Sequence, residues 1–116
     1  MNSVFTLSTL KKDDYAVIYT NGYLNDLGGE KIDEECSRLL EEGNKKIIIN
    51  FKNSKIINSI GISILIGVIE KIQEKQGKLG FCNLTPVNKE TFKMMGLTKF
   101  ATSFELEEDA IKGLCL

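Results

Sequence analysis

The chain has 116 residues, 42% of them hydrophobic and 27% charged, with Lys plus Arg at 15 against Asp plus Glu at 16 and a formal charge of −1. That is the composition of one ordinary globular domain, expected to span residues 1–116, and it excludes a disordered chain and the clustered basic face that nucleic acid demands. The absence of histidine removes the Ser-His-Asp and Cys-His nucleophile systems and the commonest zinc ligand sets.

The N-terminus, MNSVFTLSTLKKDD, has no basic region followed by an apolar run, so no secretory leader is expected. Val4–Leu10 partly alternates and Tyr15–Tyr19 is rich in strand formers, with Lys11-Lys12-Asp13-Asp14 as the turn, which predicts an antiparallel hairpin. After Asn21-Gly22 the period becomes helical. Ile32, Cys36, Leu39 and Leu40 share one face, charged residues from Glu30 to Glu42 fill the other, and Gly43 stands just past the helix end. Gly28-Gly29 reads only as a loosening of that helix's first turn, and with Gly61 and Gly67 it fits neither G-x-G-x-x-G nor a P-loop. The carboxylates Glu30, Asp33, Glu34 and Glu35 read as a solvated helix face rather than an acid/base pair.

Lys45–Phe51 is an unbroken β-branched run, as expected of a central strand buried on both faces of a mostly parallel sheet. A second helix begins near Asn58-Ser59 and runs to about Lys75, with Ile62, Leu65, Ile66, Ile69 and Ile72 as its core stripe and Gly77 closing it. Leu79–Leu84 is the next strand. Thr85 then caps a helix with Pro86 at its first position and Gly96 past its end. A short strand around Phe100–Phe104 and a helix from about Glu107, whose carboxylates suit the positive end of the dipole, complete the chain. This order predicts an α/β fold: a mixed sheet of about five strands with about four helices.

The longest apolar stretch, Ile60–Ile69, is about half a membrane span, so no membrane insertion is expected. Cys36, Cys82 and Cys115 form no C-x-x-C pair, and their odd number points to a reducing cytoplasm rather than a disulfide or metal framework.

The informative stretch is Lys55-Ile56-Ile57-Asn58-Ser59-Ile60-Gly61-Ile62-Ser63, between the buried strand and the second helix. A loop at the C-terminal end of a parallel strand that opens a helix is where α/β sheets place their sites, because free amide hydrogens and the helix dipole meet there. Local sequence alone reads Asn58 or Ser59 as an N-cap stabilising the helix by about 1 kcal/mol. Further along, Ile60 and Ile64 point away from the core stripe beside Gly67 and Lys71. They are expected to be exposed as an apolar docking strip next to Ser59, the alternative being a helix covered on both sides.

Asn58-Ser59-Ile60-Gly61-Ile62 resembles the D-S-[ST]-G-[IL] phosphorylation motif of anti-sigma factor antagonists, the STAS-domain family. Gly22-Tyr23-Leu24-Asn25 is similar to the family's G-[ED]-[IL]-D, and Ile48-Ile49-Asn50-Phe51 to its V-L-D-L strand end. Asn83-Leu84-Thr85-Pro86 resembles its N-L-[ST]-P, and Gly96-Leu97-Thr98-Lys99-Phe100 its G-L-x-[KR]-[LVI]-F. Asn25, Asn50 and Asn58 stand where the family favours aspartate, and Ile60 replaces the motif's second hydroxyl residue.

The resemblance implies a STAS-like fold and a non-catalytic switch with no metal and no cofactor. Unphosphorylated at Ser59, such a protein binds a serine-kinase anti-sigma factor and frees the sigma factor; phosphorylated, it lets go, and a phosphatase is a further partner. With the apolar strip, this places partner contacts at Asn25, Asn58, Ile60, Gly61, Ser63, Ile64, Gly67 and Lys71. The alternatives within the family are a regulatory subunit of a lipid or anion transporter and a small-ligand or nucleotide-binding module with its anion site at Ser59.

Overall fold

In the computed structural model, β1 (Thr6–Lys11) and β2 (Ala16–Asn21) form the expected antiparallel hairpin. β3 (Lys46–Asn53), β4 (Lys78–Cys82) and β5 (Thr102–Phe104) then add in parallel, so the sheet order is β1-β2-β3-β4-β5 with β3 at the centre. The helices are α1 (Asp26–Glu41), α2 (Ser59–Glu74), α3 (Pro86–Met94) and α4 (Glu107–Cys115). The structure describes residues 4–115; residues 1–3 and 116, at the ends of the expected domain, lie outside the described residues.

The isoleucine run in β3 is explained by burial on both faces. Ile47, Ile49 and Phe51 point into the larger core under α1, α2 and α3, while Ile48 points the other way, with Val17 and Cys82, against Ala110 and Leu114 of α4. Phe51, Phe81 and Phe92 form the centre of the larger core. Phe92 meets both other rings edge-on, at centroid distances of 5.7 Å to Phe51 and 5.1 Å to Phe81. Such T-shaped contacts align the positive ring edge with the negative face.

Several local details depart from the sequence reading. The turn after α2 places Gln76, not Gly77, in the left-handed conformation at φ 62°. Gly77 is required for a different reason: a Cβ there would lie 2.7 Å from the Lys45 carbonyl oxygen and 2.9 Å from Ile72. A 3-10 turn at Leu97–Lys99 follows the left-handed Gly96, and Val68 joins the α2 core stripe while Ile66 is only half-buried. Gly28 and Gly29 do more than loosen a first turn. Both are buried, and a Cβ on them would lie 2.9 Å from the Phe5 ring and 3.0 Å from Ile64, so they let α1 sit close to its neighbours.

Burial pushes the Cys36 and Cys82 thiols up to about 12, so both stay protonated and unreactive near neutral pH. Among the described residues no helix is long and apolar enough to cross a membrane.

Candidate functional site

The C-terminal ends of β2 and β3 and the first turns of α1 and α2 meet at one rim of the molecule. Two asparagines build it. Asn25 caps α1, its Oδ1 accepting from the Gly28 amide at 3.0 Å, and Asn58 caps α2, its Oδ1 accepting from the Gly61 amide at 2.8 Å. Each satisfies one of the amides that the first turn of a helix leaves without a partner.

The two connecting loops are joined by main-chain hydrogen bonds. The Gly22 amide donates to Asn53 at 3.0 Å, Leu24 to Ile56 at 2.9 Å, and Asn58 to Leu24 at 3.0 Å, which gives Leu24 and Ile57 a short parallel bridge outside the sheet. Gly61 is buried at this seam, and a Cβ on it would come within 2.8 Å of the Leu24 carbonyl oxygen. The buried Asn88 of α3 holds the loop from the other side, its amide donating to the Lys55 carbonyl at 2.9 Å.

Ser59 is the first helical residue of α2 and is exposed. Because Asn58 does the capping, the Ser59 hydroxyl is not needed to hold the helix end. Ser63 differs: its hydroxyl donates to the Ser59 carbonyl at 3.0 Å. Ile56 and Ile60 flank Ser59 with 68% and 55% of their surface in solvent. Gly67 is exposed one turn beyond Ser63, with nothing within 4 Å of where a Cβ would be.

Ile64 corrects the expected docking strip. It is half-buried against Gly29 of α1, because α2 is covered on two sides, by the sheet and by α1. Lys71 also turns toward α1, where its ammonium meets Asp33 and the Ser37 hydroxyl, each at 2.7 Å. Ile64→Glu is therefore expected to destabilise the fold by about 2 kcal/mol, a carboxylate being forced against a packed helix face. Ile60→Glu is expected to stay within about 0.5 kcal/mol of the parent protein, as exposed substitutions do. Urea titrations of the two variants check this; equal midpoints would place Ile64 on the surface after all.

Asn50 proved to be a different kind of residue from Asn25 and Asn58. It is buried, takes a hydrogen bond from the Lys52 amide at 2.9 Å and donates to Glu107 of α4 at 3.0 Å. Tyr19 donates to the other Glu107 oxygen at 2.8 Å. Burial, reinforced by Glu107, pushes the Tyr19 phenol up to about 12, so it remains a hydrogen-bond donor. An asparagine at position 50 supplies the amide donor that this carboxylate requires, which an aspartate could not.

The chain matches known proteins over almost its whole length. The family model described as the STAS domain matches residues 6–110. The chain belongs to the STAS-domain family. BtrV of Bordetella bronchiseptica, named as an anti-sigma factor antagonist, is 23% identical over 86 residues, 74% of each chain. The crystal structure of an anti-sigma factor antagonist from Mycobacterium paratuberculosis superposes with a TM-score of 0.82 at 17% identity, covering 96% of this chain and 94% of that one. The Bacillus cell fate determinant SpoIIAA in its phosphorylated form gives a TM-score of 0.70 at 24% identity, covering 95% and 98%. In this STAS protein the rim is the place where the Asn58–Ile62 stretch, the two helix starts and the exposed isoleucines Ile56 and Ile60 coincide.

Proposed function

We propose that this STAS protein is an anti-sigma factor antagonist that binds a serine-kinase anti-sigma factor when Ser59 is unmodified and releases it when Ser59 is phosphorylated. The observation that carries the reading is the division of labour at the start of α2, where Asn58 caps the helix and leaves the adjacent Ser59 exposed between Ile56 and Ile60. The names of its relatives and the existence of a phosphorylated SpoIIAA support it.

In the unmodified state Ile56, Ile60, Ser63 and Gly67 offer a largely apolar surface, with Asn25 and Asn58 at its edge. Gly61, Ile64 and Lys71 serve it from beneath, by setting how α2 lies on the β2–α1 loop and on α1. A phosphate on Ser59 adds about two negative charges at the rim. The positive end of the α2 dipole stabilises that charge in the free protein, whereas a docked partner strips it of water. The fold is kept and the interface is lost, because the modified hydroxyl is not the helix cap.

Incubation with the cognate kinase and ATP, followed by mass spectrometry, is expected to place a single phosphate on Ser59. Ser59→Ala is expected to take up none and to keep the partner bound. Phosphate found only on another residue would leave the family assignment standing and remove this switch.

A further inference from the structure

The same rim carries a second chemical feature beside the isoleucines. A cavity of about 680 Å³ opens between the ends of β2 and β3, lined by Asn21, Tyr23, Asn53 and Ile56, with Lys52 and Lys55 as its charged lining. No carboxylate lines it. Among the described residues Lys11, Lys71 and Lys89 each meet a carboxylate, at Glu42, Asp33 and Glu105, while Lys52 and Lys55 meet none. From Gly43 through Ile69 the sequence contains no Asp or Glu, so nothing along this stretch neutralises them. Asp26, on the facing turn of α1, is exposed but does not line the cavity.

We infer that the Lys52–Lys55 cavity receives acidic side chains of a protein partner, whose apolar contact is made alongside, on Ile56 and Ile60. Two exposed ammonium groups next to exposed aliphatic surface complement a protein face that mixes carboxylates with leucine-like side chains. The inference rests on the partner-switch reading and adds the sign of the partner's charge. A phosphate on Ser59 repels an acidic face, whereas it would attract a basic one, so an acidic partner makes release by phosphorylation electrostatically coherent.

The surface chemistry is tested without a kinase, by following the amide resonances of the isotope-labelled protein during titration with a synthetic peptide of alternating glutamate and leucine. A lysine–leucine peptide serves as the comparison. The acidic peptide is expected to shift Tyr23, Lys52, Lys55 and Ile56, the shifts fading as salt is raised. They are expected to be lost in the double variant Lys52→Gln, Lys55→Gln, which changes only exposed ends of flexible side chains. Shifts centred instead on Lys45, Lys46 and Lys78, or an equal response to the lysine peptide, would overturn the inference.

Against the kinase that modifies Ser59, Lys52→Glu with Lys55→Glu is expected to weaken binding about tenfold at low salt, the size of effect that reversed charges at an interface rim produce. Tighter binding would mean a basic partner face and would overturn it. A kinase that binds neither protein would remove the partner-switch reading, while the peptide titration still decides the chemistry of the cavity.

Discussion

Ser59→Asp is expected to bind the proposed anti-sigma partner at least about fivefold more weakly than the parent protein, and to unfold at an equal or slightly higher urea concentration. The first effect follows from placing an unmatched charge where the interface becomes dry, an unsatisfied group costing about 1–3 kcal/mol and each 1.4 kcal/mol being about tenfold in affinity. The second follows from the place of Ser59 in the first turn of α2, where a negative side chain gains about 0.3–1 kcal/mol from the helix dipole. Opposite signs in binding and stability are what distinguish a switch residue from a structural one. Calorimetric titration against the partner, with urea denaturation of the same samples, measures both. A variant that binds as Ser59→Ala does would show that charge at this position is not read.

Phe92→Ala is expected to cost about 3–5 kcal/mol of stability, because it deletes a fully buried ring that packs edge-on against both Phe51 and Phe81. Set against the roughly 5–15 kcal/mol that holds a typical domain together, this brings the protein close to unfolding. The effect reaches the rim as well. Phe92 anchors α3, and α3 carries Asn88, whose amide holds the Lys55 carbonyl. In cool buffer, where the variant stays folded, hydrogen exchange of the amides at 55–58 is expected to quicken. A loss below about 1 kcal/mol would mean that the three-ring cluster closes over the gap.

Periodicity and caps located the elements well where the signal is local to the element itself. Thr85 with Pro86 opened α3, Gly96 took the left-handed position after it, and the isoleucines of β3 marked a strand buried on both faces. The Ser59 loop was legible for the same reason, since an asparagine cap before an apolar helix is a local signal. What stayed hidden depends on neighbours distant in sequence. Ile64 reads as exposed only if α2 faces a single layer, and its partner Gly29 lies in another helix with no side chain to announce the contact. Asn50 meets Glu107 across 57 residues, and Tyr19 meets it across 88, so neither hydrogen bond leaves a periodic trace. Gln76 takes the left-handed backbone at the end of α2, while the neighbouring Gly77 is required by its close approach to the Lys45 carbonyl, a contact between distant segments. The lysines of the cavity are separated by two residues in sequence but take their meaning from Tyr23, on the other loop.

If Ser59 switches a partner as proposed, the main-chain bonds that join the Gly22–Leu24 and Asn53–Asn58 segments bear on how fast a signal can be ended. A rim tied at several points has no hinge, so adding a phosphate sets off no loop closure on the microsecond to millisecond scale before the partner responds. On the proposed partner switch, the end of a response is set by how quickly the modified complex comes apart, so variants that change the off-rate are expected to alter its duration more than its amplitude.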